Sequence, residues 1–186
     1  MKWQLSVACT VLGLGILLGD STSVQAAQVG DAAAEDVAAQ LGSNYAEQQK
    51  IIRKNALVHS QVGLFEYLKK SKGGDSPLDS LSPSARTRFI ESLKFNEGGV
   101  TSFYYADIEA ELNGSQAYAL LSLFGLQSTL RFMPKLRVDN DGDREIMRAF
   151  GSGTPGIPLP EDHNDYWCSG RATCSRNVGS ICTGNC

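Results

Sequence analysis

Four cysteines, Cys168, Cys174, Cys182 and Cys186, crowd the last nineteen residues of the sequence. Thiols this close together pair as disulfides, hold a metal or serve as nucleophiles. An even number in an exported chain reads as a disulfide framework, and its three possible pairings stay open. Zinc would call for paired C-x2-C knuckles. The spacing here is C-x5-C-x7-C-x3-C, so no metal site is expected. His163 lies near Cys168 in sequence, but a catalytic thiolate must be free, and an oxidising compartment consumes it. The expected site is therefore a stapled tail. Tyr166 and Trp167 dock it or contact a partner, and Arg171 and Arg176 are its only charges after Cys168.

Other residues offer less. Asp139-Asn140-Asp141-Gly142-Asp143 looks like a calcium loop. Aligned on its glycine, however, the first and twelfth ligand positions become Arg137 and Arg148, both of the wrong charge. A turn with Asp143 capping a short helix through Phe150 is expected instead. His59, the other histidine, falls on an apolar helix face and reads as a packed side chain. Ser152 lies between glycines, but Phe150 breaks the G-x-S-x-G pattern. Asp107, Glu109 and Glu111 read as a solvated helix face. Asn113-Gly114-Ser115 matches a glycosylation acceptor, although a turn and cap explain it. No catalytic residue and no cofactor are expected.

The beginning of the chain sets the compartment. Lys2 precedes an apolar run from Leu5 to Leu18, and Val24-Gln25-Ala26 follows. That is the layout of a secretory signal cut after Ala26. The run is shorter than the ~20 residues of a membrane helix. Cys9 lies inside it and leaves with the signal. No membrane span is expected after cleavage. The net charge is −3, so nucleic acid is not an expected partner.

The elements that must position the tail read as helices. Residues 27–43 are rich in alanine and small polar residues and read as a flexible spacer. Asn44 and Glu47 have capping-box spacing, and Tyr45, Ile52, Ala56 and His59 share a helical face. Leu64, Phe65 and Leu68 continue the stripe, which Gly73-Gly74 closes. Ser82-Pro83 starts another helix that buries Phe89, Ile90 and Leu93. Tyr104 to Leu112 holds a short one. Ser115 caps the most apolar helix, with Ala117, Leu120, Leu121 and Phe124 inward. Residues 151–165 are a Gly/Pro-rich linker. No run alternates as a half-buried strand does. The expected fold is all-α, about five helices over residues 44–150, with an irregular disulfide-stapled tail over 166–186.

Leu81-Ser82-Pro83 in a helical region, and the closing Cys182-Thr183-Gly184-Asn185-Cys186, give a layout that resembles fulvocin-related, bacteriocin-like exported proteins. The resemblance implies an antimicrobial or toxin-like end carried by a helical part. The absence of a catalytic set beside so concentrated a disulfide framework points to two functions. The first is an exported, secreted or periplasmic, non-enzymatic module that binds a protein or cell-surface partner through its tail. The alternative is the precursor of a cysteine-rich peptide released from residues 151–186. Oligomeric state is left open.

Overall fold

The computed structural model describes residues 23–71, 76–150 and 162–186, with side chains of the first helix described from residue 35. Most of the expected signal, and residues 151–161 of the expected linker with Ser152, lie outside the described residues. Residues 36–186 form one compact unit. Of the other unit, 1–35, the described part is the start of α1.

The fold is mixed, not all-α. Helices α1 (Ser23–Lys54), α2 (Gln61–Lys70) and α3 (Pro83–Ser92) come first, with a 3-10 turn at Pro77–Ser80 before α3. Strands β1 (Lys94–Asn96) and β2 (Gly99–Tyr104) follow, then α4 (Ala106–Glu111) and α5 (Gly114–Ser122). A 3-10 turn at Gln127–Phe132 and α6 (Asp141–Phe150) lead to β3 (His163–Gly170) and β4 (Thr173–Cys182). The sheet is antiparallel in the order β1-β2-β4-β3.

The strands escape the sequence pattern for physical reasons. β2 is buried from Gly99 to Phe103 on both of its faces, so no polar residue alternates with an apolar one. β3 and β4 are rich in Gly, Ser, Asn and Cys, a composition that favours turns. Their pairing comes from the ladder and the cross-links.

The boundaries follow local chemistry. α1 runs unbroken through residues 27–43, and Asn44 sits inside it rather than at its cap. Ser60 opens α2 by accepting from Gly63 N. Ser82 and Pro83 start α3. Asn113, not Ser115, caps α5 in a reciprocal box with Gln116. The core joins both structure types. Phe89 of α3 meets Phe103 of β2 and Phe124 edge to face, with ring centroids 6.1 and 5.6 Å away. Ile181 and Cys182 of β4 are also fully buried.

Asp143 lies within α6, and the cap is Asn140, whose side chain accepts from Asp143 N at 3.0 Å. The buried Asp143 carboxylate accepts from the backbone N–H groups of Ser115, Asp139 and Asn140 at 2.8, 2.9 and 3.2 Å. Burial pushes its pKa up, but hydrogen bonds from Ser115, Asp139 and Asn140 outweigh that and hold it below the usual carboxylate value. A depressed folded pKa gives stability that is complete above the unfolded value of about 4 and fades as pH falls through the folded one. Asp143→Asn should cost about 1–3 kcal/mol at neutral pH, because an amide N–H₂ then faces backbone donors. Urea melts should show the variant losing less stability than the parent between neutral pH and about pH 3.

Asp162 leads into β3 and fixes the root of the hairpin. Its Oδ2 accepts from Arg53 Nη2 of α1 at 2.7 Å, and Arg131 Nη2 lies 3.7 Å away. Its Oδ1 accepts from Gly184 N at 2.9 Å. All three charged side chains are buried. Burial lowers the pKa of the Arg131 guanidinium, and the Asp162 charge opposes the shift. Gly125 lets α1 approach: at φ 68°, a Cβ there would sit 2.9 Å from Arg53 Cα and Ile52 O.

Candidate functional site: a doubly stapled, folded hairpin

The tail is a β-hairpin rather than an irregular segment. Its bridges are Cys168–Cys186 and Cys174–Cys182, with Cα separations of 5.6 and 5.9 Å. Cys174 and Cys182 both belong to β4, eight residues apart. An extended strand would separate them by about 26 Å. β4 is therefore folded back on itself.

The bend is visible in the register. Asn164 pairs with Ile181, but Tyr166 pairs with Arg176, so Asp165 faces four residues of the opposite strand. Such an excess forms a bulge and turns the strand sharply. Asp165 and Gly179 sit at the bend with φ of 63° and 82°. A Cβ on Gly179 would lie 2.7 Å from the Tyr104 ring. Asp165 Oδ1 accepts from Gly179 N at 2.9 Å and from the Tyr105 hydroxyl at 3.4 Å. Tyr105 N also donates to Gly179 O at 2.7 Å. Burial, then the Asp165 charge, push the Tyr105 phenol up, so it remains a donor.

Folding back lays the hairpin tip over β1. Lys94 Nζ sits 3.5 Å from the centroid of the Trp167 ring and donates to Cys168 O at 3.5 Å. The ring's negative face attracts the ammonium, an interaction of about 0.5–2 kcal/mol according to its desolvation. Trp167 is thus half-buried and docks on Lys94 of β1. Tyr166 alternates to the other side, stays 38% exposed and meets His163 edge to face. Arg171 and Arg176 are exposed. Between the tip, the β1–β2 turn and the C-terminal turn lies an open groove of about 720 Å³. Lys94, Glu97, Thr101, Ser169, Arg171 and Asn185 are among its lining residues.

The structure brings Tyr166, Trp167, Arg171, Arg176, Cys168, Cys174 and Cys182 onto one hairpin, and Cys186, in the turn after β4, is bonded to it. Lys94, Asp162 and Asp165, which position it, carry no sequence signal. Each belongs to a residue type common on surfaces, and its partner is distant in the chain.

The remaining candidates are dispersed. His59 lies beyond the end of α1, exposed, with Nδ1 2.9 Å from Ala56 O, so it is not a core residue. His163 is exposed on β3. The three carboxylates of α4 act as separate clips. Asp107 takes a bidentate pair from Arg88, and that bond raises the Arg88 pKa. Glu109 accepts from Lys135 N, and Glu111 accepts from Ser82 N and Oγ. The Asn113 amide that would carry a glycan donates to Asp139 Oδ2.

The described residues thus define a rigid β-hairpin surface, cross-linked at its tip, on a small α+β body. No family model, no curated protein and no solved structure matches the chain. Among the described residues no helix is long and apolar enough to cross a membrane. The two disulfides accord with an oxidising compartment.

Proposed function

We propose that this is an exported binding protein, not an enzyme, that engages a protein or cell-surface partner through the folded hairpin. The observation that carries the reading is the double stapling of the tip, which holds Tyr166, Arg171 and Arg176 outward. A surface ordered before the encounter loses little further entropy on binding, and tyrosine and arginine are the side chains most often found at binding hot spots. The apolar leader with Val24-Gln25-Ala26 supports export. Release of a bacteriocin-like peptide from residues 151–186 has less support. It would strip β4, together with β3, from β2 and withdraw Asp162 from its arginines.

The test uses purified oxidised protein, fluorescently labelled, on intact cells of the producing species and its neighbours. Saturable binding is expected, and Tyr166→Ala/Arg171→Ala/Arg176→Ala should weaken it at least tenfold with both disulfides intact. Equal binding by the variant rejects the hairpin as the contact surface. Intact mass of the exported material checks the rest: a chain starting at Ala27 with no free thiol is expected, and a chain retaining Met1 with free thiols overturns export.

A further inference from the structure

The two disulfides abut, which two independent bridges need not do. The sulfurs of Cys174, Cys182 and Cys186 lie within 4.8 Å of one another, and Cys168 Sγ is bonded to Cys186 Sγ. Three sulfurs therefore form one cluster, and the fourth is one bond away from it. Going beyond the binding role, the geometry assigns a second state to this cluster: with both bridges reduced, Cys168, Cys174, Cys182 and Cys186 hold one zinc ion as a tetrathiolate.

Zinc takes four thiolates tetrahedrally at about 2.3 Å, which puts the sulfurs about 3.8 Å apart. Three of the four sulfurs already lie within 4.8 Å of one another, and Cys168 Sγ, bonded to Cys186 Sγ, is the one that must swing in to complete the set. The lack of C-x2-C knuckles does not count against the site. The bend at Asp165 and Gly179 brings together residues that the sequence keeps apart, as a knuckle does for neighbours. β3 and β4 supply three ligands on a hydrogen-bonded ladder, and the fourth comes from a turn that is itself tied down. Thr183 N donates to Thr101 O at 2.8 Å and Ala172 N to Cys186 O at 2.7 Å. A site so framed does not depend on the sulfur–sulfur bonds for its outline.

Charge suits it as well. Zinc with four thiolates carries a net charge of about −2, and Lys94 and Arg171 line the same groove as Cys168 and Cys186. Glu97 is the one acid among those lining residues. Sulfur ligands in tetrahedral array select zinc over calcium or magnesium. Cys182 is buried, while the other three are partly exposed, which gives the ion an entry path.

The conversion balances. A dithiol gives two electrons and two protons to one bridge, which opens to two thiols while the dithiol closes to its own disulfide. A second dithiol opens the other bridge. Zinc then displaces the four thiol protons to solvent.

The test takes the full chain, reduced with excess dithiol and desalted without oxygen. Cobalt(II) alone is added, then zinc. One cobalt per chain is expected, with the ligand-field and charge-transfer bands of a four-sulfur tetrahedral site, bleached by one equivalent of zinc. X-ray absorption of the zinc form should show four sulfur neighbours at about 2.3 Å. Cys182→Ser should lose the four-sulfur spectrum. Circular dichroism reports the fold at each step. Failure to bind metal beyond an equimolar chelator overturns the assignment, as does a site with fewer than four sulfurs. A reduced chain that unfolds and is not restored by zinc overturns it too. Mass and cell binding of the oxidised protein are measured separately, so either reading can fail alone.

Discussion

Asp162→Ala should remove about 3–5 kcal/mol of folding free energy, read as a fall in the urea midpoint at neutral pH. The carboxylate serves three segments at once: Arg53 of α1, Arg131 of the second 3-10 turn and the backbone of Gly184. Its removal leaves the Arg53 guanidinium, with a side chain only 1% exposed, without its carboxylate. An uncompensated buried cation is far more costly than a lost surface pair. Asp162→Asn keeps acceptor oxygen but not charge, and should fall between alanine and the parent. Salt supplies the control. Raising ionic strength from about 0.1 to about 1 M shortens the screening length to roughly 3 Å and weakens exposed pairs. Arg88–Asp107, with Arg88 54% exposed, is such a pair. The difference between Asp162→Ala and the parent should persist at high salt, whereas that between Asp107→Ala and the parent should shrink. A loss below about 1 kcal/mol for Asp162→Ala would place the cluster among ordinary surface pairs.

That cluster also shows what sequence reading could and could not reach. Residues whose partner lies within one helical turn were legible. Ser82-Pro83 starts α3, and Ala117, Leu120, Leu121 and Phe124 are buried. Residues whose meaning comes from a distant partner were not. Arg53 looks like a favourable cation at the end of α1, yet its partner is 109 residues away. β2 was missed because burial on both sides erases the period of two. β4 carries no strand signal because Gly, Ser, Asn and Cys, which favour turns, fill much of it. The four cysteines gave away the tail's cross-linking, but not that Ile181, Cys182 and Thr183 are buried with the core. The shape of the tail therefore rests on apolar burial as well as on its bridges, and the cysteine count alone understates how firmly it is joined to the body.

Phe89→Ala tests that union. The ring is fully buried and sits edge to face with Phe103 and Phe124, so it joins α3, the interior strand β2 and the segment after α5. Truncating a buried phenylalanine costs about 3–5 kcal/mol through lost transfer energy and the cavity left behind. The two aromatic pairs add about 0.5–1.5 kcal/mol each beyond area, which places this site toward the upper end. Phe65 is the matched control at 69% exposure, and Phe65→Ala should shift stability by no more than about 0.5 kcal/mol. The cavity should also be felt in the hairpin. Phe103 is the register partner of Ile181, and the next ladder bond but one is Thr183 N to Thr101 O. If the core and the tail are one cooperative unit, hydrogen exchange at Thr183 N accelerates by the full stability loss, about tenfold for each 1.4 kcal/mol. If disulfides alone shape the tail, Thr183 N exchanges at the parent rate while the helices lose protection. The shared burial of Phe103, Ile181 and Cys182 favours the first outcome.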